Sequence, residues 1–290
     1  MENSRRGWQR FQRNRLAVLG GIVLGAIAFL IFAFPFIYQV PIDGIDFGSS
    51  AAPPSWQHPF GTDDLGQDQL ARVLFGGKVS LAVGLAAMVV AIMLGSTIGA
   101  IAGFYGGWLD QILMRITDLF LSLPQLPVLL LIVYLFREKL RAIAGAEWGT
   151  FILVVVVIGS LNWMAIARLV RAQCLTLKTR EFVTAARAMG ANPLRILRQH
   201  ILPNLVSLIA VATTLSVSNA IITESTLSFL GLGFSPDIPT WGRMLYEAQN
   251  FITTAPHMAL FPGLAIFLTV LSLNYLGDGL RDAFDPKSTH

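Results

Sequence analysis

A chain of 290 residues that is 54% hydrophobic and 13% charged, with a mean hydropathy of +0.63, carries about half the charge of a soluble domain and reads as an integral membrane protein. Its formal net charge of +4 therefore reports topology, and no nucleic-acid partner is expected. The one cysteine, Cys174, excludes an intramolecular disulfide framework.

Met1 to Arg15 form a basic tail with Arg5, Arg6, Arg10, Arg13 and Arg15. The apolar run from Leu16 to about Tyr38 is too long for a signal-peptide core and shows no small-residue cleavage site, so a retained first span is expected. Apolar runs place six spans at roughly 16–38, 79–103, 112–136, 149–170, 204–230 and 258–279. None has the period-2 alternation of barrel strands, so the fold class is all-α and polytopic, with six transmembrane helices in the lipid bilayer.

Basic residues set the orientation. The tail and the segment holding Arg168, Arg171, Lys178, Arg180, Arg187, Arg195 and Arg198 belong in the cytoplasm, with Cys174 kept reduced there. Asp43, Asp46, Asp63, Asp64 and Asp68 after span one face outward, as do Asp237 and Glu247 after span five. Arg137, Lys139 and Arg141 fall on the outward side and weakly oppose the rule. Both termini are thus inside. The chain divides into a cytoplasmic tail over 1–15, a first helix and outward segment over 16–78, a five-helix core over 79–280 with a cytoplasmic loop at about 172–203, and a cytoplasmic tail over 281–290.

The loop carries the most informative pattern. Phe182, Ala185, Ala186 and Met189 recur at helical spacing on one face, with Glu181, Thr184 and Arg187 on the other. A helix this short does not hold itself together in water, so its small apolar face needs a partner surface. Gly190 stands where a left-handed residue ends a helix, and Asn192-Pro193 supplies the cap and first position of the next. Leu202-Pro203 marks re-entry toward span five.

Ala185-Ala186, Gly190 and Leu202-Pro203 keep the spacing of the loop motif Glu-Ala-Ala, three residues, Gly, nine residues, Ile, one residue, Leu-Pro. This resembles the motif of the membrane subunits of binding-protein-dependent ABC importers, with Thr184 at the Glu position and His200 at the Ile position. Phe60 to Asp68, Glu224 to Gly233, Pro239 to Gly242 and Pro262 to Pro286 are similar to the C-type permease of the dipeptide and oligopeptide importers, which usually has Arg where Gln67 stands. The resemblance covers nearly the whole chain. It implies the type I importer permease fold, a second, B-type permease subunit, two ATPase subunits and an extracytoplasmic solute-binding protein. It also implies that the loop around 181–190 inserts into the ATPase and passes on its closure.

No Gly-x-x-x-x-Gly-Lys-Ser/Thr phosphate loop is present, so ATP and magnesium are expected on the partner ATPases and no catalytic residue on this chain. His58, His200, His257 and His290 show no metal-ligand spacing. Glu224 is the most membrane-embedded acid and is a translocation or gating candidate, set against structural pairing. Arg115 and Asp118 are a second such candidate, set against a local ion pair at i, i+3. Asp63, Asp64, Asp68 and Trp241 are candidates for docking the binding protein, set against turn and helix-cap roles for the acids. Trp56 also suits a membrane interface or a docking surface. Pro124 and Pro127 are expected to kink span three, and Gly95 and Gly99 to let helices pack closely. A stand-alone secondary transporter is the alternative, opposed by the lack of an inverted repeat and the scarcity of intramembrane charge. An intramembrane protease would need paired catalytic groups that the spans do not hold.

Overall fold

A computed structural model describes residues 11–284. The predicted tail arginines Arg5, Arg6 and Arg10, and the C-terminal tail from residue 285 with His290, lie outside the described residues. The described chain is helical, in the order α1 (Arg15–Ala33), α2 (Gln69–Tyr105), α3 (Gly107–Ser122), α4 (Gln125–Ala144), α5 (Ala146–Leu177), α6 (Glu181–Ala188), α7 (Pro193–Ile196), α8 (Leu202–Phe229), α9 (Trp241–Ala248) and α10 (His257–Phe284). Five helical stretches among the described residues are long and apolar enough to cross a membrane, and α3 with α4 make the sixth where that bent pair counts as one crossing.

Three boundaries differ from the sequence expectation, each for a local reason. Helix α2 begins ten residues before position 79, because Asp68 caps it by accepting from the Ala71 N–H at 2.7 Å. Span three is two helices bent by 89°. Leu123 and Pro124 are both extended, as a residue before proline and the proline itself favour. Pro127 makes no kink: it sits in the first turn of α4, where backbone N–H groups have no intrahelical acceptor to lose. Helix α8 is preceded by a π turn over Leu197–Ile201, next to Pro203, whose ring nitrogen carries no N–H.

The frame of the bundle is the parallel pair α2 and α5. A side-chain carbon on Gly95 would lie 2.6 Å from the Trp163 carbonyl oxygen, one on Gly103 2.8 Å from that of Arg171, and one on Gly99 closer still to that of Ala167. These glycines recur every fourth residue, so α2 presents bare backbone along one stripe and α5 lies directly on it. The expected Gly95–Gly99 contact is therefore one turn longer, through Gly103. Helix α8 packs on α2 at Gly84, against Ile221, and α1 packs on α10 at Gly20, against Ser272 and Tyr275.

Four apolar clusters form among the described residues, and the two largest are these. One joins α2, α4, α5 and α8 through Ala87, Leu129, Ile158 and Leu227. The other joins the far ends of α2 and α5 to the loop, through Phe104, Cys174, Val183, Ala186, Ile196 and Leu205.

Gly99→Leu should lower the melting midpoint in detergent, since the clash is with backbone that has no rotamer to retreat into; overpacking of this kind costs about 1–3 kcal/mol or more. Gly25→Leu, where nothing lies within 4 Å, should leave the midpoint unchanged.

Candidate functional site

The cytoplasmic loop leaves α5 through Lys178, whose Nζ donates to the Gly103 carbonyl at 3.0 Å and so anchors the loop to the end of α2. Helix α6 then ends in a Schellman arrangement. The Gly190 N–H donates to Arg187 O at 2.9 Å and the Ala191 N–H to Ala186 O at 3.1 Å, with Gly190 at φ +79°. Asn192 caps α7 by accepting from the Arg195 N–H at 2.7 Å, with Pro193 at the first position, both as expected.

The face of α6 is turned from the expected one. Val183 is 0% exposed and Ala186 1%, whereas Phe182 is 41% and Met189 80% exposed, with Ala185 also exposed. The inward stripe is Val183 and Ala186, at i and i+3, and it packs on Ile196, Leu197 and Ile201. Ala186 thus belongs to the subunit's own core, not to a partner-facing surface. Phe182, Ala185 and Met189 form the free apolar edge, beside the exposed Glu181, Thr184 and Arg187. The Phe182 ring lies 6.4 Å from that of His200.

Arg115 and Asp118 do not pair. Asp118 Oδ1 accepts from Arg168 Nη2 at 2.5 Å, and Asp110 Oδ2 from Arg171 Nη2 at 2.6 Å, so two ion pairs tie α3 to the cytoplasmic half of α5. Arg115 is exposed.

At the opposite end, residues 39–68 fold into a cap over the mouths of α2 and α10. Ala51 and Thr62 N–H groups donate across the segment to Asp63 O and Ala52 O at 2.7 and 3.0 Å. Phe60 stacks on Phe261 with ring centroids 3.9 Å apart, and the His257 Nε2 lies 3.0 Å from Thr62 O. Asp68, besides capping α2, accepts from the Tyr38 hydroxyl at 2.9 Å and sits 2.9 Å from His58 Nδ1.

The buried Arg72 is the hub of this end. Its guanidinium reaches Glu247 Oε2 at 2.8 Å, Asp63 Oδ2 at 3.3 Å and the Gln67 side chain, while Glu247 Oε1 accepts from Arg243 Nε at 3.0 Å. Asp63 also accepts from the Leu65 and Gln67 N–H groups at 3.0 and 2.8 Å. Burial nevertheless holds its carboxyl above the usual carboxylate range, with Arg72 and those two donors pulling the other way. This lattice floors an outward cleft of about 630 Å³, rimmed by Asp43, Asp64 and Asp237.

Of the expected docking residues, Asp63 and Asp68 are 2% exposed and Trp241 1%, so they build the cap from inside and offer no surface. Asp64 is half-buried on the rim, and Trp56 stands fully in the open. Glu224, the expected translocation or gating candidate, is likewise enclosed. It is 0% exposed, accepting from Ser80 Oγ at 3.1 Å and Ser228 Oγ at 2.8 Å, and Ser80 Oγ in turn accepts from the Trp241 N–H at 3.3 Å. This acid fastens α8 to α2 and α9.

With this geometry in place, the comparisons are specific. The family model for the binding-protein-dependent transport system inner membrane component matches residues 95–290, and that for the N-terminal transmembrane domain of oligopeptide transport permease C matches residues 4–54. The glutathione transport system permease protein GsiD of Pectobacterium atrosepticum is 43% identical over 283 residues, covering 97% of this chain and 90% of its own. A Brucella suis protein with a peptide-permease name is 42% identical over 286 residues, covering 98% and 91%. An inward-facing structure of the MetNI methionine ABC transporter aligns with a TM-score of 0.59 at 20% identity, over 74% of this chain and 97% of that one. The chain belongs to the binding-protein-dependent transport system inner membrane component family, the permease subunits of ABC importers, and has their type I fold.

Arg72→Leu should free the cap from α9, because removing one partner of a buried ion pair costs about 3–5 kcal/mol. Melting in detergent and protease nicking within 39–67 read the loss. A raised carboxyl value favours the protonated form in the fold, and the stability held in that form is lost as pH rises through it. The Arg72→Leu defect should therefore shrink as pH falls toward the raised range of Asp63 and grow as pH rises above it.

Proposed function

We propose that this chain is the C-type permease of an ATP-driven importer and forms half of its translocation pathway beside a B-type permease. Two ATPase chains bind ATP and magnesium, and an extracytoplasmic binding protein delivers the solute. The chain itself performs no chemistry. It sits in the plasma membrane of a prokaryote with both termini in the cytoplasm, as the basic residues of the α6–α7 loop require.

The observation that carries this reading is the split face of α6. Its buried stripe fixes the helix to the ends of α2 and α5, so it is a rigid handle rather than a loose loop. Its other edge offers Phe182, Ala185 and Met189 to a partner, flanked by Glu181, Thr184 and Arg187. A groove on an ATPase is the surface that such an edge fits, and movement of that groove is handed directly to two spans. Peptides or related small solutes are the proposed cargo, glutathione-like compounds among them, supported by the names of the relatives. Purification in mild detergent should bring ATPase and second permease with this chain. Uptake by this chain alone in liposomes without ATP would overturn the reading.

The loop substitutions separate docking from folding. Ala185→Arg should weaken ATPase association while the permease melts normally, whereas Ala186→Arg should destabilise the permease itself, since Ala186 is buried in its own core. Gly190→Val should reduce ATP-driven uptake without blocking insertion. No atom crowds the site, so its cost is the left-handed backbone alone, about 1–2 kcal/mol and more for a β-branched residue.

A further inference from the structure

Helix α8 carries a polar stripe that the described residues leave partly open. Asn219 is exposed, Thr223 and Thr226 are half-buried, and the three recur at i, i+4 and i+7 on one face. Asn219 lies ten residues from the outward end at Phe229, about 15 Å along the axis and so near the middle of a hydrocarbon core about 30 Å thick. The two threonine hydroxyls donate within the helix, to Asn219 O at 2.7 Å and Ile222 O at 2.8 Å, which leaves their lone pairs outward. The Asn219 carboxamide has no hydrogen-bond partner among the described residues. A bare amide facing lipid tails has no way to recover the hydrogen bonds it loses from water.

The rest of α8 accounts for the other directions. Ala220 and Leu227 are buried in the core shared with α4 and α5. Ile222 lines a groove with Leu245 and Phe267, which Asn274 of α10 also enters. The single ionisable side chain of α8, Glu224, is sealed away on the α2 side.

We propose that Asn219, Thr223 and Thr226 line the water-filled passage, and that the solute crosses α8 against uncharged hydrogen-bonding groups that suit the amide units of a peptide. This rests on the importer reading above and names the residues that meet the cargo. A carboxamide offers both a donor and an acceptor, as a peptide unit does, and hydroxyl lone pairs take up its N–H. The absence of fixed charge on this face lets peptides of either sign pass without being held.

The test uses the assembled importer in proteoliposomes, in which native Cys174 is 0% exposed and supplies no background. Cysteines at Asn219 and Thr226 are treated with a membrane-impermeant maleimide. Controls are Ala220→Cys, in the core, and Phe29→Cys, on the exposed surface of α1. Asn219→Cys and Thr226→Cys should react about tenfold or more faster than both controls, because a thiolate forms only in water. Transported peptide should slow that labelling. Labelling no faster than at Phe29→Cys, or cross-linking of Asn219→Cys to the second permease, would overturn the proposal. As a readout that folding alone does not move, Asn219→Leu should raise the KM for a neutral dipeptide several-fold at unchanged melting midpoint, and Asn219→Gln should restore it. An unchanged KM in Asn219→Leu would also sink the assignment. Failure of the wild-type assembly to import peptide with ATP would instead overturn the importer reading, while the labelling still reports whether this face is wet.

Discussion

The contact on which the rest of the molecule depends is the bare-backbone seam between α2 and α5. Between helices in lipid there is no hydrophobic drive, because the tails are as apolar as the side chains. Association rests on close packing, and Gly95, Gly99 and Gly103 let two backbones approach to where a single added carbon collides with carbonyl oxygens. Helix α2 is 37 residues, about 55 Å, and overruns the hydrocarbon at its outward end. One seam therefore holds together a rod whose outward end carries Asp68 and Arg72 and whose cytoplasmic end carries Gly103. The Gly103 carbonyl is where Lys178 fastens the loop. Loop and cap thus sit at opposite ends of one locked helix pair.

Buried charge follows the same economy. Arg72 is surrounded by Asp63, Glu247 and Gln67, and Glu247 is shared with Arg243, so two cations and two carboxylates close on themselves. Such a lattice adds little stability over an apolar core of equal volume, but it permits very few arrangements. It joins the cap, α2 and α9, which are far apart in sequence. Glu224 does comparable work with hydroxyls in place of a cation, across α8, α2 and the start of α9. An intramembrane acid is a functional candidate by default, and here its surroundings make it a fastening.

What could be read from the sequence was whatever a few neighbouring residues decide. Span positions follow from apolar runs, and the stops at Gly190 and Asn192 from capping chemistry within three or four residues. The face of α6 is ambiguous in the sequence, because two turns of helix hold both Phe182-Ala185-Met189 and Val183-Ala186 at helical spacing. Only the tertiary partners Ile196 and Ile201 decide between them. Sequence proximity points Asp118 to Arg115, but its partner, Arg168, lies fifty residues on. Arg72 gives no sign of its farther partner, since Glu247 is 175 residues away. Trp241 looked like a surface anchor because the Val73 carbonyl that takes its Nε1–H at 3.0 Å is equally remote.

The break in the third span shows how local chemistry and depth combine. Leu123-Pro124 supplies a hinge but no angle. The angle follows from what α3 carries. Asp110 and Asp118 are held by Arg171 and Arg168, at the cytoplasmic end of α5, so the polar side of α3 is pinned at the level where that end meets water. Trp108, Ile112, Ile116 and Leu119 recur on another face and are exposed. That is the composition of a helix lying along a membrane surface. Helix α4 runs on into the bundle, packing Leu129 and Val133 against α5. A straight helix would drag Asp110 and Asp118 away from their arginines and into the hydrocarbon. Turning by 89° keeps both acids at the surface and still delivers α4 to the core.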